Sequence, residues 1–224
     1  IFLHCSGYLN NDTNFANYFG KMYQPRYLSG LAAGAMTDSN KIGYVAAFPI
    51  PEVIRGINAF AAGVNEVNPD ATVEVVWTFT WFGPEAETQA ANALLETGAD
   101  VLAQHQDSTA TGLAAEAAGA KWISYNTAYG KDSAPEAFVT APVWDWGPYY
   151  VDIVESIIDG TFSTESYWGG METGLVSLYD LSSDVPSDIA TLIGEKTDAI
   201  IDGTLEVEIV EEEFISNVIG TVNP

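Results

Sequence analysis

Cationic side chains are scarce: 7 Lys and Arg stand against 31 Asp and Glu, for a formal net charge of −24. Neutralising a phosphate backbone takes clustered Lys and Arg, so nucleic acid is excluded as a partner class. Histidine occurs twice, as His4 and His105, and cysteine once, as Cys5, which rules out an internal disulfide and a Cys-based metal site. Cys5 is expected as a buried strand-end residue. The Ile1-Phe2-Leu3-His4 ahead of it lacks the small residues and long apolar segment that precede a lipoprotein anchor cysteine. With no His/Cys cluster, no Gly-x-Ser-x-Gly elbow and no Gly-rich phosphate loop, neither a metal nor a cofactor is expected. No apolar run approaches the roughly 18 residues of a membrane span. The N-terminus also lacks the basic flank and apolar stretch of a signal peptide, so any targeting segment has been removed or never existed.

What is present suffices for a folded core, at 47% apolar and 12% aromatic residues. Apart from Glu211 to Glu213 the acids are spread along the chain as a solvated surface. Such a surface suits concentrated salt, which screens its self-repulsion.

One rhythm repeats from residue 41 onward. Strand-type runs at 41–48, 71–80, 99–105 and 120–126 alternate with helix-type runs at 51–69, 84–98 and 108–119, two of which open on a proline. That alternation predicts an α/β fold whose mainly parallel sheet is covered by helices on both faces. Ahead of it, residues 1–10 begin as a strand, and 23–37 read as a helix rich in Gly and Ala that packs closely on something. After it come an extended segment at 137–144, a helix at 147–160 with Pro148 at its first position, a strand at 174–181 and a last helix at 186–203. Asp145 lies where the exposed amides of the 147–160 helix favour a carboxylate.

Parallel α/β sheets bind ligands beyond the carboxyl ends of their strands. Those ends carry Phe48, Trp81, Gln106, Asp107, Ser108 and Asn126, polar and aromatic where the strand bodies are aliphatic. Asp107 or Ser108 equally fits the N-cap of the following helix. On an extended segment Trp144 and Trp146 share one face, because side chains alternate with period two. Trp77 and Trp122 belong to core strands, and Trp168 is structural. A His105/Asp107 acid–base pair, or a glycan-active site built on Asp132, Asp145 and Asp152, is the enzymatic alternative. The thinness of the catalytic inventory argues against it.

The stretches RYLSGLAAGAMTDSNKIGYVAAFPIPEVIRGINAFAAGVNEVNPDATVEVVWTFTWFGP, LLETGADVLAQHQDS, VWDWGPYYVDIVESIIDGTF and YWGGMETGLVSLYDLSSDVP resemble the basic membrane protein family of ABC-transporter substrate-binding proteins, which includes purine nucleoside receptors. The resemblance covers most of the chain and ends near 204. It implies a bilobed type I periplasmic-binding-protein fold, an extracytoplasmic location as a membrane-anchored lipoprotein in the full-length form, and delivery of a purine base or nucleoside to permease subunits. A ligand-sensing receptor of the same fold is the other reading. Family members carry a further N-terminal βα portion with an HDQG-like loop, so the first lobe is expected to be incomplete here. Where relatives read GYDSD, this chain has Ser124-Tyr125-Asn126-Thr127-Ala128, which weakens the case for carboxylate recognition of ribose.

The lobes implied are 1–37 as part of the N-terminal lobe, 41–136 as the C-terminal lobe, 137–168 crossing back, and 169–224 as strand, helix and tail completing them. The hinges fall at 37–41 and 137–143. In the site implied, Trp81 with Trp144 or Trp146 stacks on a flat ring. Phe48 lies beside the hinge, Asp107 accepts from ring N–H groups, and Gln106, Ser108 and Asn126 serve the ring's edge.

Overall fold

The computed structural model describes residues 1–222. The chain runs β1 (Phe2–Cys5), β2 (Phe15–Gly20), α1 (Tyr23–Met36), β3 (Lys41–Ala46), α2 (Pro51–Val67), β4 (Thr72–Trp77), α3 (Pro84–Glu96), β5 (Val101–His105), α4 (Ala110–Ala118) and β6 (Lys121–Ile123). It continues through α5 (Gly130–Ser133), β7 (Phe138–Thr140), β8 (Pro142–Trp144), α6 (Gly147–Ile158), β9 (Tyr167–Gly169), β10 (Val176–Leu178), α7 (Ser187–Ile201) and β11 (Val218–Val222).

Period-two alternation builds the larger sheet. Ile42, Tyr44 and Ala46 of β3 join one core with Ile57 and Phe60 of α2, while Val45 joins a second core with Ala90 and Leu94 of α3 and Ala115 of α4. A strand buried on both faces reads as a continuous apolar run, as β3 does. The order is β11-β4-β3-β5-β6-β7, with every pair parallel. Proline opens α2, α3 and α6 at a position whose N–H has no helical partner to lose.

A smaller parallel sheet, β1-β2-β9, and an antiparallel ribbon of β8 and β10 stand apart from it. On the small sheet Tyr18 stacks on Tyr149 of α6, with ring centres 4.9 Å apart. Cys5, expected to be buried, is exposed at the end of β1.

The helix α1, at the end of the 1–37 segment expected as part of the N-terminal lobe, packs on α2. A Cβ placed on Gly30 lies 2.0 Å from the Phe60 carbonyl oxygen, and one on Gly63 lies 2.0 Å from the Tyr27 carbonyl oxygen. Two backbones approach this closely only where both carry glycine. The partner that the Gly- and Ala-rich helix required is therefore α2.

The tail past 205 runs along α2. Asn58 Nδ2 donates to the carbonyls of Val210 and Glu213 at 2.9 and 2.8 Å, and its Oδ1 accepts from the Ile215 N–H at 3.1 Å. The chain then adds β11 to the sheet edge beside β4. Trp122 is fully buried and donates to Gln104 Oε1 at 3.0 Å, and Trp77 packs against Phe214.

Candidate functional site

Strand ends of both sheets open on one cleft of about 530 Å³. Its walls are Phe19 and Cys5 from the small sheet, Asp107, Tyr125, Asn126 and Thr127 from the large one, and Trp144 and Trp146 from the segment between them.

Asn126 ties these walls together. It sits at φ +68°, a left-handed conformation that Asn tolerates better than other side chains. Its Nδ2 donates to Asp107 Oδ1 at 2.8 Å, and its Oδ1 accepts from Trp144 Nε1–H at 3.0 Å. Both ends of the amide are thereby committed, while Asp107 Oδ2 takes no part in the pair. Partial burial in the wall pushes the Asp107 carboxyl up from the ordinary aspartate value, and the Asn126 hydrogen bond pulls it part of the way back.

The two tryptophans do share a face, stacked on each other at 4.7 Å and 13°. Tyr150 also lies near-parallel to Trp146, at 6.0 Å and 19°, so Trp146 has two near-parallel partners and Trp144, the terminal ring of the series, has one. Phe19 tilts against Trp144 at 5.0 Å and 51°. Tyr149, in the first turn of α6, is buried, and Asp145 Oδ1 accepts from the Gly147 N–H at 3.1 Å.

Four of the eight sequence-derived residues, Asp107, Asn126, Trp144 and Trp146, thus line one cavity. Gln106 and Ser108 do not. Gln106 is fully buried, with Nε2 donating to Thr78 Oγ1. Ser108 Oγ–H donates to the buried Glu87 carboxylate at 2.6 Å, and its oxygen accepts from the Ala110 N–H at 3.2 Å. It stands one residue ahead of Thr109, which holds the N-cap position of α4 in place of Asp107 or Ser108. Phe48 and Trp81, 5.4 Å apart, form a neighbouring aromatic patch with Phe79, outside the cleft wall. Rings connect the two: Trp81 to His105 at 5.9 Å, and His105 to Tyr125 at 4.5 Å.

Ser108→Ala removes a donor from a fully buried carboxylate. It is expected to cost about 1–3 kcal/mol in urea unfolding while leaving ligand affinity unchanged. A loss of affinity would return Ser108 to the site.

Four residues that line the cavity, Cys5, Phe19, Tyr125 and Thr127, were not among the candidates. Tyr125 stands at a strand end and was passed over for its neighbour Asn126. Phe19 ends a strand outside the repeating rhythm, so nothing marked it. His105 and Asp107 do not act together: His105 is buried with Nε2 3.7 Å from Glu52 Oε2, whereas Asp107 opens on the cleft. Among the described residues no group of three or more His, Cys, Asp and Glu is placed to hold a metal ion.

A family model described as ABC transporter substrate-binding protein PnrA-like matches residues 1–210. The putative ABC transporter glucose-binding protein TsgA13 of Haloferax volcanii is 42% identical over 92% of this chain and 52% of its own length. The purine-binding protein BAB2_0673 of Brucella abortus is 39% identical over 89% of this chain and 56% of its own length. The chain therefore spans about half the length of these relatives. An ABC transporter system solute-binding protein from Conexibacter woesei superposes with a TM-score of 0.74 at 23% identity, covering 93% of this chain and 71% of that one. That likeness shows the fold: parallel sheets flanked by helices, of the periplasmic-binding-protein type.

Proposed function

Because the chain belongs to the PnrA-like family of ABC transporter substrate-binding proteins, we propose that it binds a purine base or nucleoside in its cleft and presents it to permease subunits outside the cytoplasm. The observation that carries the ligand reading is the terminal ring of the Trp144–Trp146–Tyr150 stack beside Asp107 and Asn126. A flat heterocycle continues such a stack, and each base–aromatic contact is worth about 1–3 kcal/mol in nucleic-acid proteins. Asp107 Oδ2 accepts from a ring N–H, and Asn126 holds the carboxylate at the ring's edge. A monosaccharide, ringed with hydroxyls, needs more donors and acceptors than a wall whose amide is already engaged supplies.

Binding closes the two sheets over the ligand, so that the loaded form is the one recognised by the permease. Among the described residues no helix is long and apolar enough to cross a membrane.

Calorimetry with adenine, guanine, hypoxanthine, their nucleosides and glucose tests the reading on the full-length protein. Heat from a purine supports it. Binding of glucose with silence from every purine overturns it.

The acidic surface is proposed as an adaptation to concentrated salt, a reading supported by the net charge of −24 and the Haloferax relative. Screening length shrinks from about 10 Å at 0.1 M to about 3 Å at 1 M, so self-repulsion should fade over that range. Tm in potassium chloride is expected to rise from about 0.1 M to about 1 M. A Tm that stays flat or falls would leave the acids without this role.

A further inference from the structure

Behind the cleft floor Arg26 of α1 is fully buried. Its Nη1–H donates to the Gln104 carbonyl at 2.6 Å, and its guanidinium carbon lies 4.0 Å from the centre of the Tyr125 ring. Nε and Nη2 have no partner, and among the described residues Arg26 makes no ion pair. Orphaned guanidinium N–H groups in an interior are costly, so something must meet them.

Next to it stands a second orphan. His105 is 2% exposed and its Nδ1 has no partner. Burial, then the charges of Arg26 and Arg55, hold its pKa well below the usual histidine value, so the ring is neutral and carries one N–H. The Glu52 carboxyl, which burial pushes up and the charges of Arg55 and Arg26 pull back, faces Nε2 at 3.7 Å, while the Arg26 guanidinium lies toward Nδ1; that field favours the proton on Nε2 and leaves Nδ1 as the acceptor.

Gly56 of α2 supplies the space. A Cβ built there stands 3.8 Å from Arg26 Nε and 3.8 Å from His105 Nδ1, an ordinary contact distance to each. A methyl-sized space thus lies within reach of one donor and one acceptor. Water suits both at once, accepting from Arg26 Nε–H and donating to His105 Nδ1. A halide suits the guanidinium but would face the imidazole lone pair.

We propose that one buried water is bound against Gly56, bridging Arg26 Nε and His105 Nδ1, in a relay that runs from Glu52 through His105 to the guanidinium beneath Tyr125. Glycine is held at 56 because a methyl group would take the water's place.

The test compares two glycine-to-alanine changes in helices. Gly194 of α7 has open space at its Cβ, so Gly194→Ala is expected to raise Tm by about 2–4 °C through helix propensity alone. Gly56→Ala gains the same propensity and meets no clash, yet it is expected to lower Tm by about 2–4 °C because two buried polar atoms lose their partner. A rise matching that of Gly194→Ala overturns the proposal. Nitrogen-15 NMR of the unmodified protein provides an independent reading: His105 should be protonated on Nε2, with Nδ1 shifted as a hydrogen-bond acceptor. A ring protonated on Nδ1 overturns the proposal as well.

Discussion

Trp144→Ala is expected to weaken binding of the proposed purine ligand about 100-fold, by removing both a stacking face and the hydrogen bond that holds Asn126. Trp144 is the terminal ring of the stack, and its Nε1–H reaches Asn126 Oδ1 at 3.0 Å, the same amide whose nitrogen holds Asp107. Without the indole N–H the amide is free to turn, and the carboxylate loses its fixed edge. Trp146 is already paired with two near-parallel rings, those of Trp144 and Tyr150. Trp146→Ala is therefore expected to cost less than about fivefold, through looser support of its neighbour. Trp144→Phe separates the two contributions, because it keeps a ring and loses the donor. Calorimetry on the three variants checks the order, and equal losses at 144 and 146 would remove Trp144 from its place as the stacking wall.

A second substitution tests the frame. Gly30→Ala is expected to lower Tm by about 6–12 °C, the equivalent of about 3 kcal/mol or more. The new methyl would stand 2.0 Å from the Phe60 carbonyl oxygen, which is backbone and cannot swing aside as a side chain can. Relief requires α1 and α2 to move apart, and Phe60 then loosens from Tyr44, on which it packs edge-on at 5.4 Å. Gly63→Ala should act alike, since its methyl meets the Tyr27 carbonyl. Scanning calorimetry of both beside Gly194→Ala decides the matter. A Gly30→Ala protein as stable as the parent would mean that the crossing is looser than these distances require.

Much of the fold was legible because its signals are local. Prolines at 51, 84 and 148 mark helix starts, and apolar runs such as 41–46 announce strands covered on both sides. What escaped depends on distant partners. β11 is a short β-branched run that becomes a strand only beside β4, and the partner that α1 packs on is unnamed until Gly30 meets α2.

Of the residues picked out by the strand carboxyl ends, Asp107 and Asn126 line the cavity, and Trp144 and Trp146, picked out by their alternation on an extended segment, line it with them. At 106 and 108 the side chains turn inward, Gln106 to Thr78 and Ser108 to Glu87, so that of three consecutive residues only Asp107 opens on the cleft. Phe48 and Trp81 fell outside for another reason. The chain past β4 turns at Phe79, in the left-handed region at φ +53°, and carries Trp81 toward Phe48.

The indoles of Trp144 and Trp146, 4.7 Å apart and 13° from parallel, are close enough to absorb light as a coupled pair. The remaining tryptophans, Trp77, Trp81, Trp122 and Trp168, have no such partner among the ring contacts. The cleft therefore carries its own optical reporter. A ring laid on Trp144 extends the coupled pair to three, and the change in far-ultraviolet dichroism and in indole emission would follow occupancy without a label.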